Sequence, residues 1–320
     1  MKFIKLCALF FLCGVSGMAS AQEWPNRPIN LIVSYPPGGT ADLMARTIAT
    51  PLGKTLGTTI VVENKPGASG QIAAAYVAKA NADGYTLMLD ASSYSVNPSL
   101  FPKLPYDPNK DFKTLAILAQ YPNVLLVNPS FSAKSVKELV AMAKAKPNGI
   151  AYASSGNGST QHLSGALFEV KADVEMQHIP YKGGGPALND VIGGQVPVFF
   201  GSVASTKQYV DSGKLNALAV TGKKRASSMP NVPTMAEAGI PGYEVYEWNG
   251  IFAPAATPAP ILLKISNAIA KVMQSVEVKD KVLSLGGEPF QGGSEAADKF
   301  IKGQMSEWSK LVKSGKIAVD

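Results

Sequence analysis

Short apolar runs alternate with stretches of helical periodicity along nearly the whole chain. β-rich runs at 29–34, 59–63 and 86–90 are separated by helical patterns over 41–56 and 70–79. Pro51 falls inside the first helical pattern and is expected to kink or end it. Residues 115–128 read as one or two strands leading elsewhere. A second series follows: helix 135–145, strand 150–153, helix 159–170, strand 175–179, helix 186–192, strand 196–200, helix 205–211 and strand 215–220. Beyond Thr221 the pattern loosens into loop signals around Pro230, Pro233 and Pro241. A strand-like run over 243–253 and helical stretches over 261–274, 276–285 and 294–313 complete the chain. This alternation predicts an α/β fold on mostly parallel sheets flanked by helices.

Within it, one unit occurs twice. Ile29-Asn30-Leu31-Ile32-Val33-Ser34 runs into Tyr35-Pro36-Pro37-Gly38-Gly39-Thr40. Ile150-Ala151-Tyr152-Ala153 runs into Ser154-Ser155-Gly156-Asn157-Gly158-Ser159-Thr160. Each is a buried strand, a glycine loop, a hydroxyl residue and a helix start. Glycine lets backbone N–H groups approach a ligand, and a helix start offers unpaired donors at the positive end of its dipole. Two such anion sites, one per half, suggest a small anion held between two lobes. A split arrangement would give one lobe 22–120 plus 246–320 and the other 121–245. A tandem of two contiguous domains fits the periodicity almost as well.

Composition narrows the class. Lys2 and Lys5, the ten apolar residues from Leu6 to Val15, and Ala19-Ser20-Ala21 form a secretory signal over residues 1–21, with cleavage expected before Gln22. The apolar run is too short for a membrane span. Cys7 and Cys13 are the two cysteines of the chain, so the mature protein is expected to have neither disulfide nor thiol chemistry. Two of the 30 basic residues lie in the signal, leaving 28 against 23 acidic ones and a net charge of +5. The densest cluster, Lys223-Lys224-Arg225, is too short for a nucleic-acid tract. A modest positive field suits capture of anionic small molecules.

The residues resemble the extracytoplasmic solute receptors of tripartite tricarboxylate transporters, the Bug/TctC family of Gram-negative bacteria. The resemblance runs over nearly all of the mature chain. It is carried by Trp24-Pro25-Asn26-Arg27-Pro28-Ile29, by Tyr35 to Asp42, by Val62-Glu63-Asn64-Lys65-Pro66-Gly67-Ala68-Ser69-Gly70 and by Tyr152 to Ser159. His178-Ile179-Pro180-Tyr181-Lys182-Gly183-Gly184, Pro230-Asn231-Val232-Pro233-Thr234 and Trp248-Asn249-Gly250 add to it. It implies a two-lobe periplasmic binding protein, a type II Venus-flytrap in the split arrangement, with an organic acid in the interlobe cleft. It also implies delivery to membrane permease subunits, or to a sensor kinase ectodomain in some members. A monomer with no cofactor is expected. One departure stands out: where many members carry an acidic residue, this chain has Gly201-Ser202. An acid there could pair with a ligand amine, so its absence disfavours an amino-acid ligand unless a neighbouring carboxylate substitutes.

The candidate ligand contacts follow from chemistry. Gly38, Gly39 and Thr40 offer amides and a hydroxyl at a helix start. Asp42 would repel an anion and is expected to serve the first helical turn or the loop. Ser154, Ser155, Asn157, Gly158, Ser159 and Thr160 hold more donors than one helix cap requires. Gly183 and Gly184, with Tyr181 and Lys182, form a third glycine-rich strand exit. Ser92, Ser93 and Tyr94 emerge beyond the strand at 86–90, and Ser202 beyond the strand at 196–200. Ligands of open α/β sheets bind beyond the carboxyl ends of strands, where these loops emerge. Tyr35 and Trp248 are candidates to pack a ligand's carbon skeleton. His162 and His178 are expected to be structural, with His162 an outside candidate for the cleft.

Enzyme chemistry finds little support. Gly-x-Ser-x-Gly, His-Glu-x-x-His and the phosphate loop ending in Gly-Lys-Ser/Thr are absent from the sequence. Gly156-Asn157-Gly158 begins a dinucleotide-like pattern, but Gln161 stands at its third glycine. Ser159 and His162 lie within one helical turn without an evident third partner.

Overall fold

A computed structural model describes residues 24–181 and 183–315. The secretory signal and Lys182 lie outside them. β1 (Ile29–Val33) buries every residue but Asn30, because helices cover both faces of the sheet there. After it come α1 (Thr40–Leu56), β2 (Ile60–Asn64), a 3-10 turn at Ala68–Gly70, α2 (Gln71–Ala78), β3 (Thr86–Ala91) and α3 (Ser93–Leu100). β4 (Phe112–Val127) is one strand of 16 residues. The second series comprises α4 (Val136–Ala145), β5 (Ala151–Ser154), α5 (Thr160–Ala172), β6 (Gln177–Pro180), α6 (Gly184–Ile192), β7 (Val198–Ser202), α7 (Val203–Asp211) and β8 (Asn216–Val220). β9 (Tyr246–Pro254), α8 (Ala259–Met273), α9 (Val276–Ser284), β10 (Glu288–Pro289) and α10 (Ser294–Lys313) complete the chain.

The strands join in the order β2-β1-β3-β9-β4-β7-β5-β6, with β8 and β10 also on β4. Pairing is parallel at the flanks, β1 with β2 and β3, and β5 with β6 and β7. The strands of the middle, β9 and β4, run antiparallel to their neighbours, so the sheet is mixed. β4 changes partner along its length: Phe112 to Pro122 pair with β9, whereas Asn123 to Val127 pair with β7 and β8. That change divides the molecule into two lobes.

Pro51 neither ends nor breaks α1, which continues to Leu56. Leu52 and Leu56, beyond the proline, are buried in the core that also holds Leu31, Leu87 and Ile265. Burying a leucine is worth roughly 1.5–3 kcal/mol, and two of them offset a proline's cost of about 3 kcal/mol. α10 serves both lobes. Ala297 and Ile301 pack with Trp248 and Phe252, whereas Trp308 and Leu311 join the core of the second lobe around Leu125 and Phe168.

Candidate ligand-binding cleft

Helices follow strands at one edge of each lobe, so their N-termini collect there. Those of α1 at Gly39, α3 at Ser92, α6 at Gly183 and α7 at Ser202 begin without a side chain capping their amides. The first N–H groups of a helix have no intrahelical acceptor, so these ends are donors carrying partial positive charge. α5 differs, because the Ser159 hydroxyl accepts the His162 N–H.

In the first lobe, residues 36–39 are exposed. Asp42 is buried and organises this loop rather than facing solvent. Its carboxylate accepts the Gly38 N–H at 2.9 Å and the Asn64 amide at 3.0 Å, and it pairs with Arg46 at 2.9 Å. The Arg46 hydrogen bond holds its pKa down at about 2, helped by the Gly38 and Asn64 donors against partial burial. The Gly38 amide is therefore turned inward, while Gly39 and Thr40 stand at the uncapped helix start. Tyr35 places its hydroxyl 2.5 Å from Ser93 Oγ. Tyr94 turns away: its hydroxyl donates to Pro108 O, and its ring stacks on Phe252 at 4.3 Å. Trp248 is wholly enclosed in the same core.

In the second lobe, Ser154 is buried, with its hydroxyl 2.6 Å from His178 Nε2. Ser155 donates to Gln161, and the Gly158 N–H donates to His162 Nδ1 at 3.1 Å. The two imidazoles stack at 3.8 Å with planes 3° apart. Burial lowers their pKa values to about 3 for His162, with a further push from His178, and about 4 for His178. Both rings are neutral supports beneath the loop at 154–160. Asn157 is exposed at its tip. Gly183 donates to Ser155 O, and Gly184 has open space where a side chain would stand. The Tyr181 hydroxyl donates to Asp190 at 2.6 Å. Ser202 sits opposite Asn123, where β4 passes between lobes. Thr160 reaches across to Ser92, Oγ to Oγ at 2.9 Å.

Sequence reasoning did not single out several residues here. Asp90 is fully buried, one of its carboxylate oxygens has no partner among the described residues, and burial raises its pKa to about 7. A charged residue closing the apolar run Leu87-Met88-Leu89 was the available signal. Over it lies a backbone of four successive positive-φ residues, Gly67 to Gly70. A side chain on Gly70 would stand 2.9 Å from Asp90 Oδ1, so glycine is required there for space and for conformation. Such backbone persists where its surroundings hold it, and the Asn97 amide donating to Ser69 O does so here.

A family model described as the tripartite tricarboxylate transporter family receptor, TctC, matches residues 44–317. Protein BugT of Bordetella pertussis is 36% identical over 302 residues, covering 94% of this chain and 93% of BugT. Among solved structures, R. palustris Rpa4515 with adipate is 36% identical with a TM-score of 0.79, covering 92% of this chain and 99% of that one. MatC from Rhodopseudomonas palustris with bound malate is 32% identical with a TM-score of 0.75, covering 90% and 100%. The chain belongs to the tripartite tricarboxylate transporter receptor family, the TctC/Bug solute-binding proteins.

Proposed function

We propose that this protein captures a small organic acid between its lobes in the periplasm and presents it to the permease subunits of a tripartite tricarboxylate-type transporter. The observation that carries this reading is the group of uncapped helix starts at Gly39, Ser92, Gly183 and Ser202 on the edges bordering the cleft. A carboxylate satisfies such amides without a counter-cation. The relatives solved with adipate and with malate support the same ligand class.

The lobes comprise residues up to about 120 with 246 onward, and 121–245, a division supported by the change of strand partner after Pro122. In the proposed sequence, the carboxylate meets the amides of Gly39 and Thr40 first. Rotation about β4 and β9 then brings Asn157, Gly184 and Ser202 onto the remaining polar group, the Gly183 N–H being held by Ser155 O. The protein acts as a monomer.

A thermal-shift screen of the mature protein against mono-, di- and tricarboxylates, amino acids and aromatic acids tests this. Binding to the native state raises the apparent melting temperature. A dose-dependent rise with an acid, without turnover, is expected. A flat response to every acid by protein refolded free of ligand would sink the proposal.

A further inference from the structure

The walls of the cleft carry helix-start donors, whereas the strands at its base carry a carboxylate. The floor is made by the two strands that cross between lobes, β4 and β9. β9 runs antiparallel to β3 with Asn249 opposite Ala91, so Glu247 stands one step beyond the carboxyl end of β3, at the level of Ser93. It is directly opposite Tyr121 of β4, and side chains of opposed residues share a face. Its negative charge contributes to raising the pKa values of both Tyr35 and Tyr121, after burial, consistent with its register position beyond β3. Glu247 keeps some surface exposure and, among the described residues, has neither a hydrogen bond nor an ion pair; burial raises its pKa above the ordinary carboxylate value, a cost that a cation beside it would offset.

Three further polar residues lie at or within two positions of the Glu247–Tyr121 pair on the same two strands. Asn249, two residues along and on the same face, is fully buried with its side-chain oxygen and nitrogen both unpartnered. Tyr121 Oη is buried and unpartnered, and so is Asn123 Oδ1. Buried polar groups are nearly always hydrogen-bonded, and leaving one unpaired costs about 1–3 kcal/mol. The Asn249 amide and the Tyr121 hydroxyl can each donate or accept, so the selecting group is the Glu247 carboxylate: ionised and without a counter-charge, it favours a cation and repels a second anion.

We infer that Glu247, with Asn249 and Tyr121, forms a cation subsite on the cleft floor, so that the ligand is a carboxylic acid also bearing an ammonium or comparable protonated nitrogen. The carboxylate of such a zwitterion meets the helix starts on the walls, and its N–H groups meet Glu247, Asn249 Oδ1 and Tyr121 Oη directly or through one water. Glu247 thereby supplies from β9 the acid that Gly201-Ser202 lack at the end of β7. The inference rests on the carboxylate-receptor reading and narrows it.

Isothermal titration of the mature protein at pH 7 with acids differing by one amino group tests it: succinate against aspartate, glutarate against glutamate, valerate against norvaline. At least one amino member should bind tenfold or more tightly than its partner. Glu247→Gln should weaken that member at least tenfold and change its partner less than threefold. The wild-type comparison stands alone should the variant fold poorly. Binding confined to acids without a protonated nitrogen, or an amino member insensitive to Glu247→Gln, overturns the inference and leaves the receptor reading standing. Absence of binding by every acid, with or without nitrogen, removes both.

Discussion

Ser92 Oγ and Thr160 Oγ1 lie 2.9 Å apart, and they belong to opposite lobes. The contact continues inward: the Thr160 carbonyl accepts from Ser164 Oγ at 2.8 Å, and that hydroxyl accepts from the Asn123 amide at 3.3 Å. Asn123 is in turn tied to Thr221 at 2.8 Å. A buried polar chain thus runs from the hinge strand to the first lobe beside the helix starts of α3 and α5.

Because both hydroxyls are buried, removing one strands the other. Ser92→Ala and Thr160→Val should each cost about 1–2 kcal/mol, and the double variant less than their sum by about 1 kcal/mol. Urea unfolding of the four proteins measures this coupling. Strict additivity would mean that the contact contributes nothing between the lobes.

Gly39 has an ordinary negative φ, and a side chain there would meet only Pro36 O at 3.6 Å. Gly39→Val should therefore fold with stability within about 1 kcal/mol of wild type. The same side chain stands at the uncapped start of α1 and blocks close approach of a carboxylate. An acid that shifts the wild-type melting temperature should bind the variant at least tenfold more weakly. Undiminished affinity in the folded variant would place the ligand elsewhere.

The doubled strand–glycine–helix unit was legible because its signals are local: glycine, hydroxyl and apolar residues at fixed offsets. The element α3 was not. Ser93-Tyr94-Ser95-Val96-Asn97-Pro98 has poor helix propensity and resembles a strand exit. Its helix exists because Tyr94 is buried in the core of one lobe and Val96 in that of the other, an account only tertiary contact supplies. Glu247 and Asn249 were hidden for a related reason. In sequence they are two polar residues in a strand, and only the register of β9 against β3 and β4 brings them to the cleft floor. Asp42, by contrast, could be read from charge alone as serving the first helical turn or the loop, and in the structure it accepts the Gly38 N–H and pairs with Arg46.

Asp90 gives the stability a particular pH dependence. Burial raises its pKa from 3.8 to about 7 against the opposing help of the Ala91 N–H and Ser34. Between those values the folded protein holds a proton that the unfolded chain has lost, so stability from this group is full below pH 4 and lost as pH rises through 7. The difference is about 4 kcal/mol. Asp90→Asn should gain on wild type by that order between pH 4 and pH 7 in parallel chemical denaturation series. A constant difference across the range would show that Asp90 ionises normally.

The stacked histidines act in the opposite sense. Their folded pKa values, about 3 for His162 and about 4 for His178, lie below the ordinary 6.5 because burial disfavours the charged rings. The unfolded chain therefore takes up protons first, and the stability they confer is full above pH 6.5 and lost as pH falls toward 4 and 3. The second proton is hardest to add, since it would place two charges on rings 3.8 Å apart. Protonating His162 Nδ1 would also expel the Gly158 N–H and release the loop at 154–160. The chain has only these two histidines, so their ring resonances can be followed directly by long-range 1H–15N correlation. Both should stay neutral from pH 8 to pH 5, with His162 locked as the tautomer bearing its proton on Nε2. A ring titrating near pH 6.5 in the folded protein would show that the pair is open to water and that the loop does not depend on a neutral His162.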